Sequence, residues 1–269
     1  MKRVLAYLVL ILGAIVFAYP FLWMIAGSLK LELEISGLRL LPSEVTVHSY
    51  DQVLTKIPIV KAFFNSLIVS GATTASVVLL GSVVGYALAK LRFVGNAFIY
   101  LLILFTTMIP FQIVLIPQYI LMVKLGLTDS YLGLIFPTMM SAFSIILFRQ
   151  FCRGIPQDLI DAARIDGCSE LGILFRVIWP LSRPILVTVS ILTFMTSWNE
   201  VLWPLMVVRE RSLMTMPQLV TIFTIGGEAE TQLGSLLAAA TLLALPVIIV
   251  YSFFQRYFIE SMAYTGLKG

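Results

Sequence analysis

Six apolar stretches dominate this chain, at approximately residues 4–29, 63–89, 97–122, 131–152, 184–208 and 233–255. Each exceeds the roughly 20 residues a helix needs to cross a bilayer. Lipid offers no partner to an unpaired backbone amide, so helix rather than strand is expected throughout. Composition excludes a soluble alternative. Apolar residues make up 59% of the 269 and charged residues 12%. A soluble domain runs at about half and a quarter, and a chain this apolar would expose more hydrophobic surface than a water-borne monomer tolerates. The expected fold class is an all-α integral membrane protein with six transmembrane helices. Residues 1–60 hold the first helix and an outer segment, 61–257 a transmembrane core, and 258–269 a C-terminal tail.

The basic residues set an orientation, since Lys and Arg favour the cytoplasmic side. With the N-terminus inside, the inner side holds eleven: Lys2, Arg3, Lys90, Arg92, Arg149, Arg153, Arg164, Arg176, Arg183, Arg256 and Lys268. The outer side holds seven: Lys30, Arg39, Lys56, Lys61, Lys124, Arg209 and Arg211. Both termini are therefore expected in the cytoplasm. The segments 30–62, 123–130 and 209–232 then lie outside, and 90–96 and 153–183 inside. Met1-Lys2-Arg3 before the first stretch also fits a cleaved secretory signal, but the apolar run is about twice the usual length and no clean cleavage site follows. The net charge of +4 comes from residues between apolar runs, with no basic and aromatic cluster that would take nucleic acid. Cys152 and Cys168 fall on the reducing side and are expected as free thiols. His48, the single histidine, lies in a different loop, so no metal site is expected.

Residues 155–184, IPQDLIDAARIDGCSELGILFRVIWPLSRP, are too polar to span and too patterned for a slack loop. Pro156 suits the first turn of a helix, and Asp158 and Asp161 favour its positive end. Leu159, Ala162, Ala163 and Asp166 keep helical spacing. Gly167 can stop that helix in a left-handed conformation, and Ser169 can cap a second one. Ile173, Leu174, Val177 and Ile178 form an apolar face, and Pro180 and Pro184 end it. Two short helices joined by a glycine turn are expected at the cytoplasmic surface. An interfacial amphipathic element would show the same periodicity.

The residues DAARIDGCS, with Phe175, Ile178 and Pro180, resemble the "EAA" coupling loop of ATP-binding-cassette import permeases. Asp161, Ala162, Ala163, Asp166 and Gly167 stand at its positions. Asp161 replaces the usual Glu, Cys168 an Ala, and Trp179 a Leu. The resemblance implies the type I importer permease fold, with residues 155–180 docking into a groove on a separate ATPase subunit. Asp161, Ala162, Ala163, Arg164, Asp166, Gly167, Cys168, Phe175 and Pro180 would carry that coupling. The small Ala162 and Ala163 would allow close approach, and the charges would meet basic groups of the partner.

The fifth stretch holds TSWNEVLWPL, residues 196–205, with Glu200 the only acid inside a span. An intramembrane acid is a functional candidate by default. Thr193, Ser197, Glu200 and Pro204 are expected on one helical face, although the tryptophans also suit interfacial anchors. Trp198-Asn199-Glu200, Trp203, Pro204 and Leu205 resemble the sugar-permease branch of the family, in the subunit similar to the maltose-system G protein. Sugars want amides, carboxylates and aromatic faces. Asn199, Glu200, Trp203, Ser197, Gln118 and Tyr119 are the candidate pathway residues, with Pro110 and Pro117 expected to bend the third span beside them. In the best-known relative the partner permease resembles the main sugar holder, so these residues could line the path alone.

No G-x-x-x-x-G-K-[ST] phosphate loop occurs, so ATP hydrolysis is not expected of this chain. The resemblance implies a second permease subunit forming a heterodimer, an ATPase dimer that uses ATP and Mg, and an external solute-binding protein touching residues 209–232, all at the lipid membrane of a prokaryotic cell. No cofactor is expected on the chain itself. The alternative solutes are glycerol phosphate, a polyol or an amino sugar. A proton-driven secondary transporter built on Glu200 would leave residues 155–180 without a purpose, and an intramembrane enzyme would need paired polar catalytic groups within spans, where only Glu200 qualifies.

Overall fold

The computed structural model describes residues 2–37, 39–225 and 232–266, with side chains over 4–37, 39–225 and 232–253. Gly226, Gly227, Glu228, Glu230 and Lys268 lie outside the described residues, as do the side chains of Lys2, Arg3 and Arg256. Every regular element among the described residues is helical. Among the described residues three helices are long and apolar enough to cross a membrane, and three bent pairs, each taken as one span, raise the number of candidates to six.

The chain folds as two compact units, Met1–Phe63 with Thr215–Ile248, and Phe64–Met214 with Ile249–Gly269. Residues 215–248 group with the N-terminal segment in this division. In the first unit, α1 (Lys2–Ser28) carries exposed apolar side chains on all sides from Val4 to Leu22, as a helix facing lipid must. The expected outer segment 30–62 is partly helical, with α2 (Glu32–Ile35) and α3 (His48–Lys56). Two polar contacts reach from it to the start of α15 (Leu233–Gly266). The Glu32 carboxylate accepts from the backbone N–H groups of Leu233 and Gly234, the second at 3.0 Å, which answers that helix's unpaired donors. Ser235 Oγ donates to Gln52 Oε1 at 2.7 Å.

Residues 209–232 were expected as an outer loop; they contain a helix, α14 (Met216–Ile225). Its Met216, Pro217, Gln218, Leu219, Val220 and Phe223 are buried. Ten residues reach only about 15 Å at 1.5 Å per residue, too short to register as a span.

In the second unit the long α4 (Ile59–Lys90) continues from the first. The third span is broken. α5 (Asn96–Thr106) and α6 (Phe111–Lys124) meet at 101°. Pro110 precedes α6, while Pro117 lies inside it without a break, so only one of the two prolines bends the span. The fourth stretch bends by 45° between Tyr131–Thr138, which starts as α7 (Tyr131–Ile135), and α8 (Ala142–Gly154). Glycines let α4 lie close to α8. A Cβ on Gly81 would sit 2.5 Å from Ser144 Oγ, and one on Gly85 2.6 Å from Phe148 Cβ. Arg149 places its guanidinium 3.5 Å over the Tyr100 ring, a cation–π contact that keeps this α8 cation next to α5.

The far end of this unit is sewn by residues distant in sequence. Asn65, 2% exposed, donates to the carbonyls of Ser212 and Met214 at 3.0 and 2.9 Å, and accepts from Tyr131 Oη at 2.6 Å. Asp129 Oδ1 accepts from the backbone N–H of Arg209 at 2.6 Å and of Glu210 at 2.8 Å. Those two N–H groups, Glu210 first, hold the Asp129 carboxyl below its ordinary value.

Candidate functional site

After α8 the chain turns through Ile155 and Pro156 into α9 (Gln157–Ile165). The helix ends in a Schellman turn. Gly167 adopts φ +81°, its N–H donates to Arg164 O, and the Cys168 N–H reaches Ala163 O, both at 3.0 Å. Ser169 Oγ then accepts from Gly172 N–H at 3.2 Å and caps α10 (Glu170–Ile173). One wide turn of π-helix, Leu174–Ile178, leads into α11 (Trp179–Leu181). The chain next turns 87° into α12 (Arg183–Trp198). The expected pair of short helices on a glycine turn is thus present.

The inner face of this segment is a closed apolar cluster. Ile160, Ala163, Ile173, Leu174 and Ile178 pack with Cys152 and Ile155, and with Tyr86 from α4. Cys168 packs against the same cluster, and both cysteines are free. Asp161, Ala162, Asp166 and Gly167 are exposed, as are Phe175 and Pro180. Ala163 departs from expectation. It was grouped with Ala162 on the approachable face, but it is buried, because one residue further around a helix is a 100° turn. Phe175 stands edge-on to Trp179 at 4.9 Å.

A polar chain crosses the surface of the segment. Gln157 Nε2 and Arg164 donate to the same oxygen, Asp161 Oδ1, at 3.1 and 3.0 Å. The Arg164 Nε–H donates to Glu170 Oε1 at 2.8 Å, and Tyr86 Oη to Glu170 Oε2 at 2.6 Å. Arg164, then Tyr86, lower the Glu170 pKa through these bonds, and Glu170 in turn raises that of Arg164. Two further α4 side chains take part. Lys90 Nζ donates to Ile155 O at 2.6 Å, and Ser82 Oγ accepts from Trp179 Nε1 at 3.1 Å. Ser82 and Tyr86 were not expected as partners of this segment, and Lys90 was expected only as an inner-side charge. The signal that could have found them is a polar residue every fourth position near the end of an otherwise apolar helix.

The pathway candidates gather at a break in the fifth span. Helix α12 ends at Trp198, and α13 (Leu202–Val207) begins after Val201. Thr193, Ser197, Glu200 and Pro204 therefore do not share one continuous helical face. Pro204 explains the break, since it lacks the N–H that would bond Glu200 O and its ring crowds that carbonyl. The Asn199 N–H closes the helix on Met195 O at 3.1 Å, and the Glu200 N–H reaches Ser197 O at 3.4 Å. Asn199 Nδ2 donates to Met195 O at 2.8 Å, and Glu200 Oε1 accepts from Trp203 N–H at 3.2 Å. Trp203 is 1% exposed, with its indole N–H on Gly133 O at 3.0 Å; its ring is packed inside the subunit. Gln118 and Tyr119 are half-buried on α6, a helix that packs against α13.

Comparison with known proteins places this arrangement. The arabinooligosaccharides transport system permease protein of Halalkalibacterium halodurans is 37% identical over 95% of this chain and 93% of its own length. Its Bacillus subtilis counterpart is 34% identical over 99% and 96%. A crystal structure of a bacterial ABC transporter involved in import of the acidic polysaccharide alginate includes a chain that superposes with a TM-score of 0.83, at 26% identity, covering 96% of both chains. The family model for the binding-protein-dependent transport system inner membrane component matches residues 77–264. That match holds α4 from Val77 onward, the glycine-turned segment and the broken fifth span, and with it this chain belongs to that family of membrane-spanning transport components.

Proposed function

We propose that this chain is one of two permease subunits of an ATP-driven importer for an oligosaccharide. Residues 155–180 are its contact with a separate ATPase, and Asp161, Ala162, Arg164, Asp166, Gly167, Cys168, Phe175 and Pro180 form or position that contact. The observation that carries this reading is the exposed glycine turn between α9 and α10, seated on a closed apolar cluster. Such a knuckle is firm beneath and free above, as a docking element must be. Ala163 supports it from below.

The oligosaccharide assignment draws on the arabinooligosaccharide relatives and on the amide, carboxylate and hydroxyl groups of Asn199, Glu200 and Ser197 at the α12–α13 break. Gln118 and Tyr119 extend this polar set on α6, and buried Trp203 anchors it. The remaining parts of the machine are a second, distinct permease subunit, an ATPase dimer that binds ATP and Mg, and an external solute-binding protein. Both termini face the cytoplasm of a prokaryotic cell.

The test is uptake of labelled arabinotriose by vesicles that hold the assembled importer. Gly167→Pro should remove ATP-driven uptake and ATPase co-purification while membrane insertion persists, since proline can neither adopt positive φ nor donate to Arg164 O. Retention of both would overturn the coupling role. Uptake by this chain alone on a proton gradient would support the secondary-transporter alternative. Preference for glycerol phosphate over arabinotriose would move the solute class and leave the permease role standing.

A further inference from the structure

We infer that Ser82, Tyr86 and Lys90 form a strap through which movement of residues 155–181 reaches the membrane-spanning helices, with Tyr86 as its central positioning residue. This rests on the coupling role proposed above. The three lie four residues apart, on one stripe of α4. Each grips a different part of the segment: Lys90 its start at Ile155 O, Tyr86 its middle at Glu170, and Ser82 its end at Trp179.

The covalent exits of the segment are poorer conductors of force. One is the extended Ile155–Pro156 link, and the other the 87° corner at Ser182. Corners of this kind absorb rotation. The strap is different. It starts at the exposed Asp161, passes through Arg164 to one oxygen of Glu170, and leaves from the other oxygen to Tyr86. The buried Tyr86 ring also belongs to the cluster under the knuckle, so its hydroxyl and its ring join the same two bodies. From there α4 passes displacement to α8 through the close approach at Gly81 and Gly85.

Hydrogen exchange on the assembled importer in nanodiscs, with and without ATP and Mg, tests this. In the wild type, ATP should alter exchange both in residues 157–173 and at the inner end of α4, residues 78–90. Tyr86→Phe keeps the buried ring and loses the hydroxyl. It should leave the ATP-dependent change in 157–173 and reduce the change in 78–90 about tenfold, the weight of one hydrogen bond to a charged group. Glu170→Gln removes the charge that both Arg164 and Tyr86 bond, so it should reduce the change at 78–90 at least as far, and adding Tyr86→Phe to it should bring little further loss. Lys90→Met should weaken transmission and Lys90→Arg restore it, which loss of bulk packing would not predict. An undiminished ATP response at 78–90 in Tyr86→Phe overturns the strap. A wild type whose residues 157–173 ignore ATP overturns the coupling role itself, so the two failures read differently.

Discussion

Gly167 shows how much one backbone angle can decide. Its φ of +81° lies where a Cβ is disfavoured, yet an added Cβ would meet nothing within 4 Å. Substitution there is therefore a conformational test without a steric one. Gly167→Ala should destabilise the knuckle by about 1–2 kcal/mol, and Gly167→Asn by less, since Asn tolerates the left-handed region. Exchange rates of the Cys168 and Ser169 amides give the ranking; equal rates for Ala and Gly would show that the turn is not held. Asp129 makes the electrostatic counterpart. Its carboxyl is lowered from 3.8 by bonds that need the charged form. The stabilisation is fully present above that ordinary value and fades as pH falls below it through the folded pKa. Protease nicking at Arg209 and Arg211 should rise as pH drops from 5 to 3, and should already be high in Asp129→Ala at pH 7. Gly167 was legible in the sequence because its partners lie within four residues. Asp129 was not, because its partners lie 80 and 81 residues away and no local pattern announces them.

Among the elements, length and composition made the spans legible and hid their breaks. The chain has prolines inside α1, α6 and α15, at Pro20, Pro117 and Pro246, with no break assigned. At Pro110 and Pro204 the helices do break. Thr106 and Thr107 donate their hydroxyls to Ile103 O and Leu104 O, and Asn199 donates to Met195 O. Leu104 O and Met195 O also accept the backbone N–H groups of Thr107 and Asn199, each at 3.1 Å, so these side chains are second donors at the helix ends. Locality also explains why the two short helices at Gln157–Ile165 and Glu170–Ile173 could be read ahead and the buried α14 could not. Helix contacts follow an equally simple rule. Gly85 lies against α8, where a Cβ would come 2.6 Å from Phe148 Cβ and 2.9 Å from Arg149 N, whereas Gly71 on the same helix meets nothing within 4 Å. Gly85→Ala should cost about 1–3 kcal/mol by forcing α4 from α8. Gly71→Ala should be neutral or stabilising by up to about 1 kcal/mol. Melting of the purified protein in detergent separates them, and equal midpoints would show that the α4–α8 seam yields freely.

At the scale of the whole chain, the sidedness of the loops decides whether the knuckle can meet a motor at all. The proposed contact with an ATPase requires residues 155–180 on the side that holds ATP. The basic count favours this by eleven to seven. Packing within each unit is consistent with the same grouping. Lys90, at the expected inner turn, bonds Ile155 in the inner segment. Asp129, in the expected outer turn, bonds Arg209 and Glu210. Glu32, in the first outer segment, bonds residues 233 and 234 at the next outer end. Contacts of this kind pair loops on one side without saying which side is the cytoplasm; for that the basic count is the argument, and it awaits a test. Reporter fusions read the answer. Alkaline phosphatase, active only outside, should work when joined after residues 57, 127 and 211 and fail after 93 and 168, and a cytoplasmic fluorescent reporter should show the reverse. Replacing Arg164, Arg176 and Arg183 together by Gln should weaken the bias, leaving a fraction of chains with phosphatase activity after residue 168. A phosphatase signal after 168 in the unaltered chain would place the knuckle across the membrane from its fuel, and no geometry of the turn could then make it a coupling element.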